Sequence, residues 1–487
     1  MTTIHKSEEA EKDVEKVAES SLSSDTQDSV VCTRLVRKLD LRIFPSLCFM
    51  YLLSYLDRGN IGNAKIVGLD EDLGMSSIQY QTCLSIFYVG YVLGEIPSNI
   101  VMRRWKPSVW LAIIMIAWGT IGACMAAVQN FAGLATTRIL LGFAEAGFFP
   151  GVIYYLSLFY PRKEMARRVG LFWSFGSMAG AFGGLLAGAI TQIQHTLRPW
   201  QWLFVLEGVP TILAAFWCLF YLPDSPESAK FLSVEEREYA VRRMREDAGV
   251  AHDHSWTWAH FWSVFTDWKV YAYMLMYITG TSALQGVTLF LPSIIRDLGQ
   301  FTSTKAQLLT VPPYIAGFIF TLIISWSSDR LLERGYHMLL TNAFILTGFF
   351  ILMFSDHGLV GLRLFGAILV TAGTYANVPP KVSWFNNNFA GLSRRAVAAA
   401  AIVSVGTIGG AIGGQIYYDP PNYFNGNLIS VVLVSIQTVV VILVKFALAR
   451  ENRRKRSMSE EEKQKALARF GDSDLAGDRH PDYMYTL

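Results

Sequence analysis

Twelve apolar stretches, each long enough to cross a lipid bilayer, are the feature that most limits how this chain can fold. A transmembrane helix needs about 20 consecutive and mostly apolar residues. Only 17% of the 487 residues are charged, whereas soluble domains carry about a quarter. We therefore expect an all-α integral membrane protein. The stretches lie near residues 43–66, 78–101, 108–128, 131–157, 167–190, 201–222, 270–295, 306–327, 338–355, 359–380, 396–417 and 427–449.

The loops between these stretches alternate in charge, and this alternation indicates the orientation of the chain. Basic loops such as MRRWKPS, PRKEMARR and SDRLLERG follow the second, fourth and eighth stretches, and RENRRKR follows the twelfth. The opposite loops, for example DEDLGMSS and SDHG, contain almost no Lys or Arg. Basic loops stay on the cytosolic side of a membrane. We expect both termini to be cytosolic.

The longest polar interruption lies between the sixth and seventh stretches and divides the chain into halves. Within it, Ser233 and Glu236 have the spacing of a capping box at the start of a surface helix. Residues 1–30 contain no apolar core, so we expect no cleaved signal peptide. The expected units are a disordered cytosolic tail (1–34), a six-helix bundle (35–222), a cytosolic linker (223–268), a second six-helix bundle (269–449) and a cytosolic C-terminal tail (450–487).

Composition argues against several classes of function. The net charge of +3 is too small to suggest nucleic acid as a partner. The five cysteines form no CxxC pair and no His lies deep in an apolar stretch, so we expect no metal site. The loops contain no paired His cluster, no nucleophile motif and no phosphate-binding loop. We expect no enzymatic activity and no cofactor.

Charged residues inside the apolar stretches are few, and each needs a reason. A charge at the bilayer centre costs about 2.5–3.5 kcal/mol on insertion scales. The second half has no acidic residue within a stretch. Ionisable chemistry is therefore concentrated in the first half, where the acidic residues are Asp57, Glu95, Glu145 and Glu207 and the deep basic residues are Arg58 and Arg138.

Helical geometry indicates which of these charges face each other. Arg138 and Glu145 are seven residues apart, so they share one face of the fourth stretch. Asp57 is rotated by about 100° from Arg58 on the first stretch, so the two side chains point to different neighbours. Two interpretations stay open: a site for an anion and a proton, or structural ion pairs between the first and fourth stretches. For Glu207 we favour a structural role.

Further side chains are expected to line or close a central site. Tyr55, Tyr91 and Tyr277 are candidates for an aromatic lining, although packing alone also explains tyrosines in spans. Glu95, in GEIPSN before a basic loop, indicates a charge clamp at the cytosolic gate. Asn387, near a span end, is expected at the same gate.

Several motifs in this sequence resemble those of a known family. The six-plus-six layout and the charged loops MRRWKPS and SDRLLERG resemble the major facilitator superfamily. DRGNIGNAKIVGL, GEIPSN, RILLGFAEAGFFPG, WQWLFVLEG and GDRHPDYMYTL resemble the fungal anion:cation symporter family within it, from about residue 35 to the end. That family includes permeases for nicotinate, allantoate, pantothenate and biotin, and the nicotinate branch looks most similar. The resemblance implies two six-helix bundles around a central cavity.

The resemblance also implies roles for individual residues. An Arg in the first span and RxxxGxxE in the fourth match Arg58, Arg138 and Glu145, and Asp57 matches an acidic position beside the first Arg. In such relatives the arginines meet the substrate carboxylate and the acidic residues carry the coupled proton. Where some sugar-acid carriers have Gln, this chain has Gly176, which disfavours sugar acids. The charged loops imply gate or structural roles for Arg103, Asp329 and Arg330.

The resulting expectation is a proton-coupled symporter of a small organic carboxylate, nicotinate-like or another vitamin-like or aromatic acid, that works by alternating access. We expect a monomer in a fungal plasma membrane, with the lipid bilayer, an organic anion and a proton as its partners. Two alternatives stay open: an exporter of an acidic metabolite, and a nutrient sensor that binds without transporting.

The loop charges generate a direct test of orientation. A glycosylation tag inserted within residues 70–74 should be modified, and a tag inserted at Glu235 should not, because only the first loop is expected outside the cytosol. Gel mobility before and after deglycosylation measures both. The opposite pattern would reverse the orientation of the whole chain.

Overall fold

The computed structural model describes residues 30–193, 196–249, 258–356, 358–390, 392–468, 478 and 480–487. Within these ranges the regular elements are helices, with one 3₁₀ turn at Met125–Ala127 and no strand. In chain order the helices are α1 (30–42), α2 (Phe44–Ile66), α3 (Leu69–Asp72), α4 (Ser77–Arg104), α5 (Pro107–Cys124), α6 (Phe131–Glu145), α7 (Phe148–Ser157), α8 (Arg162–Ile190), α9 (Pro199–Tyr221), α10 (Val234–Gly249), α11 (Trp258–Phe265), α12 (Trp268–Leu298), α13 (Ser303–Leu309), α14 (Val311–Leu331), α15 (Gly335–Phe354), α16 (Val360–Ala376), α17 (Val378–Asn387), α18 (Leu392–Ile416), α19 (Phe424–Arg456) and α20 (Glu460–Ala468).

Eleven helical segments of the described chain are long and apolar enough to cross a membrane. The remaining expected crossing, the tenth along the chain, consists of α16 and α17, which meet at Asn377. Pro379 has no amide hydrogen, and the ring of Pro380 crowds the carbonyl of Ala376 at the end of α16. Counting this broken helix as one crossing gives twelve, and the all-helical membrane fold predicted from the sequence is confirmed.

The fourth crossing is also broken near its middle. Helix α6 ends at Glu145 and α7 begins at Phe148. The ring of Pro150 lies where it crowds the carbonyl of Ala146, four residues earlier, so one uninterrupted helix is disfavoured. The break places the carboxyl group of Glu145 at the end of a half-helix in the interior.

The outer surface of the helices is apolar, as a lipid-facing surface must be. Leu93, Phe220 and Phe446 are 61%, 85% and 69% exposed. Water would penalise this arrangement, because burying an apolar side chain of this size is worth about 1.5–3 kcal/mol. Hydrocarbon chains impose no such penalty, so the exposed surface agrees with a membrane location.

The two halves meet along helix pairs α4 with α18, α8 with α14 and α2 with α12. Hydrogen bonds between the halves gather at the helix ends that the loop charges assign to the outside. Because the bridges fasten these outer ends, the structure is closed on that side. The bridges include Gln81 to the carbonyl of Tyr417 (3.1 Å), Ser303 to the carbonyl of Ile66 (2.8 Å) and Gln307 to the carbonyl of Asn63 (3.2 Å).

The linker helix α10 packs against the first half. The capping box forms, since the amide of Ser233 donates to Glu236 (2.8 Å) and the amide of Glu236 donates to Ser233 (3.2 Å). Lys38 of α1 pairs with Glu236 at 2.7 Å, and Arg243 pairs with Glu164 at 3.0 Å. These contacts tie the linker to the end of the first bundle that the loop charges assign to the cytosol.

The last residues of the chain dock on the second half, which the sequence does not predict. We call residues 478 and 480–487 the C-terminal strap. Trp384 and Asn388 donate hydrogen bonds to the carbonyl of Thr486 at 2.9 and 3.0 Å. The amide of Arg334 donates to the carbonyl of Leu487 at 2.7 Å. The strap thus joins separate spans at the ends that the loop charges assign to the cytosol.

A buried charge network anchors the strap at Asp478. Both Lys269 of α12 and Arg394 of α18 pair with this carboxylate, and Arg394 also pairs with Asp267 at 2.7 Å. Lys455 donates to three strap carbonyls at 2.8, 3.0 and 2.9 Å. Burial pushes the pKa of Asp478 up, but the two cations outweigh burial and hold that pKa below its ordinary value of 3.8.

We expect Asp478→Asn to release the strap, because two buried cations would lose a carboxylate partner. Breaking a buried ion pair costs about 3–5 kcal/mol. Chymotrypsin cleavage after Tyr485, followed by mass spectrometry on the purified protein, should be at least about tenfold faster than in the wild type, since cleavage follows the open population.

The matched control is Asp482→Asn, the same change at a carboxylate that is 67% exposed, and it should leave cleavage unchanged. The wild-type strap should be equally protected at pH 7 and pH 5. A depressed pKa gives stability that is present above the unfolded value and is lost only as the pH falls through the lower folded one. Equal cleavage of both variants would contradict this account.

Candidate functional site

A cavity of about 60 Å³ lies between the two halves near the middle of the spans. This volume holds only a few water molecules, so the walls must part to admit a larger molecule. The charged groups of its wall, Arg58, Glu95 and Glu145, all come from the first half. The second half contributes aromatic and neutral polar groups, including Tyr277 and Gln285.

The centre of the site is a buried ion pair between the first and fourth spans. Arg58 Nη2 lies 2.8 Å from Glu145 Oε1. Ser54, one helical turn before Arg58, donates to the same oxygen at 2.5 Å. Ser54 was not predicted as a site residue. Its spacing of four residues from Arg58, which places both on one face of α2, is the signal in the sequence that could have identified it.

Part of this ion pair is left without partners. Among the described residues, nothing hydrogen-bonds Arg58 Nε or Glu145 Oε2, and both atoms are buried. Buried polar atoms are normally satisfied, and leaving one unpaired costs about 1–3 kcal/mol. The pair therefore retains one free donor and one free acceptor atom.

Aromatic rings surround the guanidinium of Arg58. Its Cζ atom lies 5.0 Å from the ring centre of Tyr55, 5.3 Å from that of Phe87 and 5.1 Å from that of Tyr91. A ring face attracts a cation and excludes water from it. Tyr55 and Tyr91 line the cavity as the sequence predicts, and Tyr277 lines it from the other half.

Arg138 lies one layer behind the cavity wall. Its side chain is 1% exposed, and its Cζ lies 4.9 Å from the ring centre of Phe87, the ring that Arg58 also contacts. Its Nε donates to the carbonyl of Cys83 at 3.4 Å. Both arginines thus contact one ring, and Arg138 is not among the residues that line the cavity.

Asp57 points away from the cavity, as the rotation of about 100° from Arg58 predicts. Its Oδ2 accepts hydrogen bonds from Trp118 at 3.1 Å and Thr211 at 3.0 Å. The carboxyl group therefore lies inside the first bundle between α2, α5 and α9. The resemblance groups it with Glu145, but the geometry keeps the two carboxyl groups apart.

Glu95 lies in the cavity wall and not only beside a cytosolic loop. Its side chain faces Ser404 of α18 in the other half, and its Oε2 has no hydrogen-bond partner among the residues described. The structure thus brings a second carboxyl group into the same cavity as Glu145.

The other expected gate residues lie at span ends that the loop charges assign to the cytosol. Asp329 pairs with Arg334 at 2.6 Å, and Arg330 lies over an indole ring. Asn387 accepts a hydrogen bond from the C-terminal strap at its backbone carbonyl. The side chain of Arg103 lies outside the part of the chain that the structure describes.

Glycines make room for the cavity tyrosines. A Cβ atom at Gly176 would lie 3.2 Å from the ring of Tyr55, and one at Gly406 would lie 1.9 Å from the ring of Tyr277. Some sugar-acid carriers have Gln at the position of Gly176. In this chain a longer side chain at that position would displace Tyr55, which explains the glycine.

We expect Gly406→Ala to impair the site through Tyr277 alone. The added methyl group overlaps the Tyr277 ring, which must move into the cavity or away from it. The matched control is Gly59→Ala, next to Arg58, where an added Cβ meets nothing within 4 Å. Uptake of substrate should fall at least about tenfold in the first variant and stay unchanged in the second, with equal surface expression. Unimpaired uptake by Gly406→Ala would contradict this assignment.

Comparison with known proteins agrees with this architecture. The family model described as Major Facilitator Superfamily matches residues 47–414. The chain is 37% identical over 397 residues to the MFS transporter prlL of a fungal species, covering 79% of each protein. It is 34% identical over 458 residues to an uncharacterized transporter of Schizosaccharomyces pombe, covering 92% of this chain and 94% of the relative.

A solved structure of the xylose transporter XylE from E. coli, in a partially occluded inward-open conformation, shares the fold. Its TM-score is 0.60 at 14% identity, covering 80% of this chain and 96% of that one. Two bundles around a polar cavity, the family match and these relatives lead to one conclusion: the chain belongs to the major facilitator superfamily and is a membrane transporter, not an enzyme.

Proposed function

We propose that this chain is a proton-coupled symporter of a small organic carboxylate. The observation that carries the proposal is the ion pair between Arg58 and Glu145 in the cavity wall. The protein's own carboxylate occupies the guanidinium that a substrate carboxylate would need. Substrate and Glu145 therefore compete for Arg58, and protonation of Glu145 decides the competition.

The competition follows from simple charge accounting. With Glu145 ionised, Arg58 and Glu145 sum to zero, and an incoming monoanion gains little. With Glu145 protonated, Arg58 carries an uncompensated positive charge and a carboxylate binds it with charge-assisted hydrogen bonds. Anion affinity then depends on the bound proton, and by linkage proton affinity depends on the bound anion.

Arg138 has a supporting role in this proposal. It does not line the cavity, so it acts on the substrate through its field or after the wall has moved. No carboxylate among the described residues forms an ion pair with it, so its charge favours an anion in the cavity. Asp57, held by Trp118 and Thr211, is the reserve candidate for the proton.

The rings around Arg58 favour a flat substrate. Tyr55 and Tyr91 border the guanidinium, and Tyr277 faces them from the second half. Aromatic acids of the nicotinate type match this lining, in agreement with the resemblance to the fungal anion:cation symporter family. The proposal includes the plasma membrane as the location and a monomer as the working unit.

Glu145→Gln should separate substrate exchange from proton coupling. The amide keeps the shape of the protonated acid but cannot release a proton. In liposomes, the variant should still exchange labelled for unlabelled nicotinate across the membrane. Accumulation driven by an inward proton gradient should vanish, since no proton leaves on the cytosolic side.

The matched control is Asp57→Asn, the same chemical change at a carboxyl group outside the cavity. It should retain proton-driven accumulation. Persistent accumulation in Glu145→Gln, with accumulation lost in Asp57→Asn, would move the proton to Asp57. Loss of both exchange and accumulation in a well-expressed Glu145→Gln protein would favour a purely structural ion pair.

A further inference from the structure

A buried lysine in the second half has no acceptor. Lys381 of α17 is 1% exposed, and its Nζ makes no hydrogen bond within the described part of the chain. Its Nζ lies over the ring of Tyr277, 4.6 Å from the ring centre. A ring face offsets only part of the cost of burying an ammonium group. The ammonium group is thus short of one strong partner.

This lysine lies beside the cavity. Val378 lines the cavity, and Lys381 is three residues later on the same helix, so the two share a face. Tyr277 is a wall residue of the cavity and the contact partner of Lys381. One ring therefore separates the ammonium group from the space where a substrate would lie.

A second unsatisfied group lies next to the lysine. Gln437 Nε2 donates to the carbonyl of Met276 and to Asn377 Oδ1, both at 3.0 Å, and these two acceptors fix which way the amide points. Asn377 is itself held by Asn342 at 2.9 Å. Gln437 Oε1 is left without a donor among the described residues.

The side chains of Lys381 and Gln437 both approach the backbone of Gly280. A Cβ atom at Gly280 would lie 2.9 Å from Lys381 Nζ and 2.5 Å from Gln437 Nε2. The absence of a side chain at this position leaves room for both polar ends. The ammonium group of Lys381 and the side-chain amide of Gln437 thus lie close together, next to Tyr277.

We infer that Lys381 forms a second recognition subsite beside Gln437, in which its ammonium group donates to a hydrogen-bond acceptor on the substrate at the end opposite the substrate's carboxylate. The inference rests on the proposed function, since Arg58 is taken to hold the carboxylate. The preferred substrates are then acids with a second acceptor, such as a ring nitrogen or a second carboxylate. A plain monocarboxylate lacks a group for Lys381.

The subsite also connects recognition with movement. Arg58 belongs to the first half and Lys381 to the second, so a substrate that reaches both joins the two bundles. Tyr277 turns aside when the acceptor approaches, and the halves close on a molecule that is held at both ends. An acid without the acceptor binds to the first half alone and closes the carrier less well.

The test compares three acids of similar size on purified protein: benzoate, nicotinate and isophthalate. Benzoate has no second acceptor, nicotinate has a ring nitrogen, and isophthalate has a second carboxylate. Quenching of tryptophan fluorescence gives the dissociation constants, since Trp173 lines the cavity. The wild type should bind nicotinate or isophthalate at least about tenfold more tightly than benzoate.

Lys381→Met should weaken binding of the acceptor-bearing acids roughly 10- to 100-fold and leave benzoate within about twofold. Gly280→Ala should cause the same selective loss, because the methyl group displaces both polar ends without removing a charge. A larger loss for isophthalate than for nicotinate identifies a second carboxylate as the natural group, and the reverse identifies a neutral acceptor. Lys305→Met, at the outer end of the eighth span, is the matched control.

Other outcomes would overturn the inference. Equal losses for all three acids in Lys381→Met would make the lysine a structural residue. Unchanged affinities in that variant, with tight binding by the wild type, would remove the subsite but keep the symporter. If the wild type bound none of the acids, the proposed function itself would fall.

Discussion

The cost of holding a charge in a low-dielectric interior is the constraint on which the site depends. Arg58 and Glu145 are both inside the membrane-spanning bundle, and each offsets the penalty of the other. The surroundings serve this pair: Ser54 donates to the carboxylate, and Tyr55 and Tyr91 border the guanidinium. The break of the fourth span before Pro150 leaves Glu145 at a helix end. Removing either charge would leave the other one buried without a partner.

Much of the architecture is predictable from the sequence, because hydrophobic length and loop charge are local properties. Helical rotation alone predicts that Asp57 and Arg58 diverge, and the structure shows that they do. The position of Arg138 was not predictable, since it depends on Phe87 of another span. The same limit applies to Lys381, whose burial and lack of an acceptor depend on packing with α12 and α19.

The C-terminal strap shows a different limit of sequence reasoning. GDRHPDYMYTL contains no apolar stretch and no helical periodicity, and its contacts include residues 23 and more than 200 positions away. The strap mostly offers its backbone carbonyls to side chains of the spans, so the pattern of its own side chains does not predict these contacts. The strap joins span ends of the second bundle, and α10 contacts the first bundle. In the proposed alternating access, each bundle moves as a unit, and these contacts stiffen it.

In the proposed cycle, the same constraint that holds Arg58 and Glu145 together also makes coupling strict. In the substrate-free state, the pair of Arg58 and ionised Glu145 sums to zero charge. In the loaded state, Arg58, protonated Glu145 and an anionic carboxylate also sum to zero. The two half-loaded states differ from these by +1 or −1, while Glu95 in the same wall is common to all four states. Because an added charge in the closed cavity costs several kcal/mol, closure is favoured when proton and anion are both present or both absent. The coupling of proton to anion is thus strong because water is excluded from the cavity. An opening that admitted water to Arg58 and Glu145 would weaken this coupling.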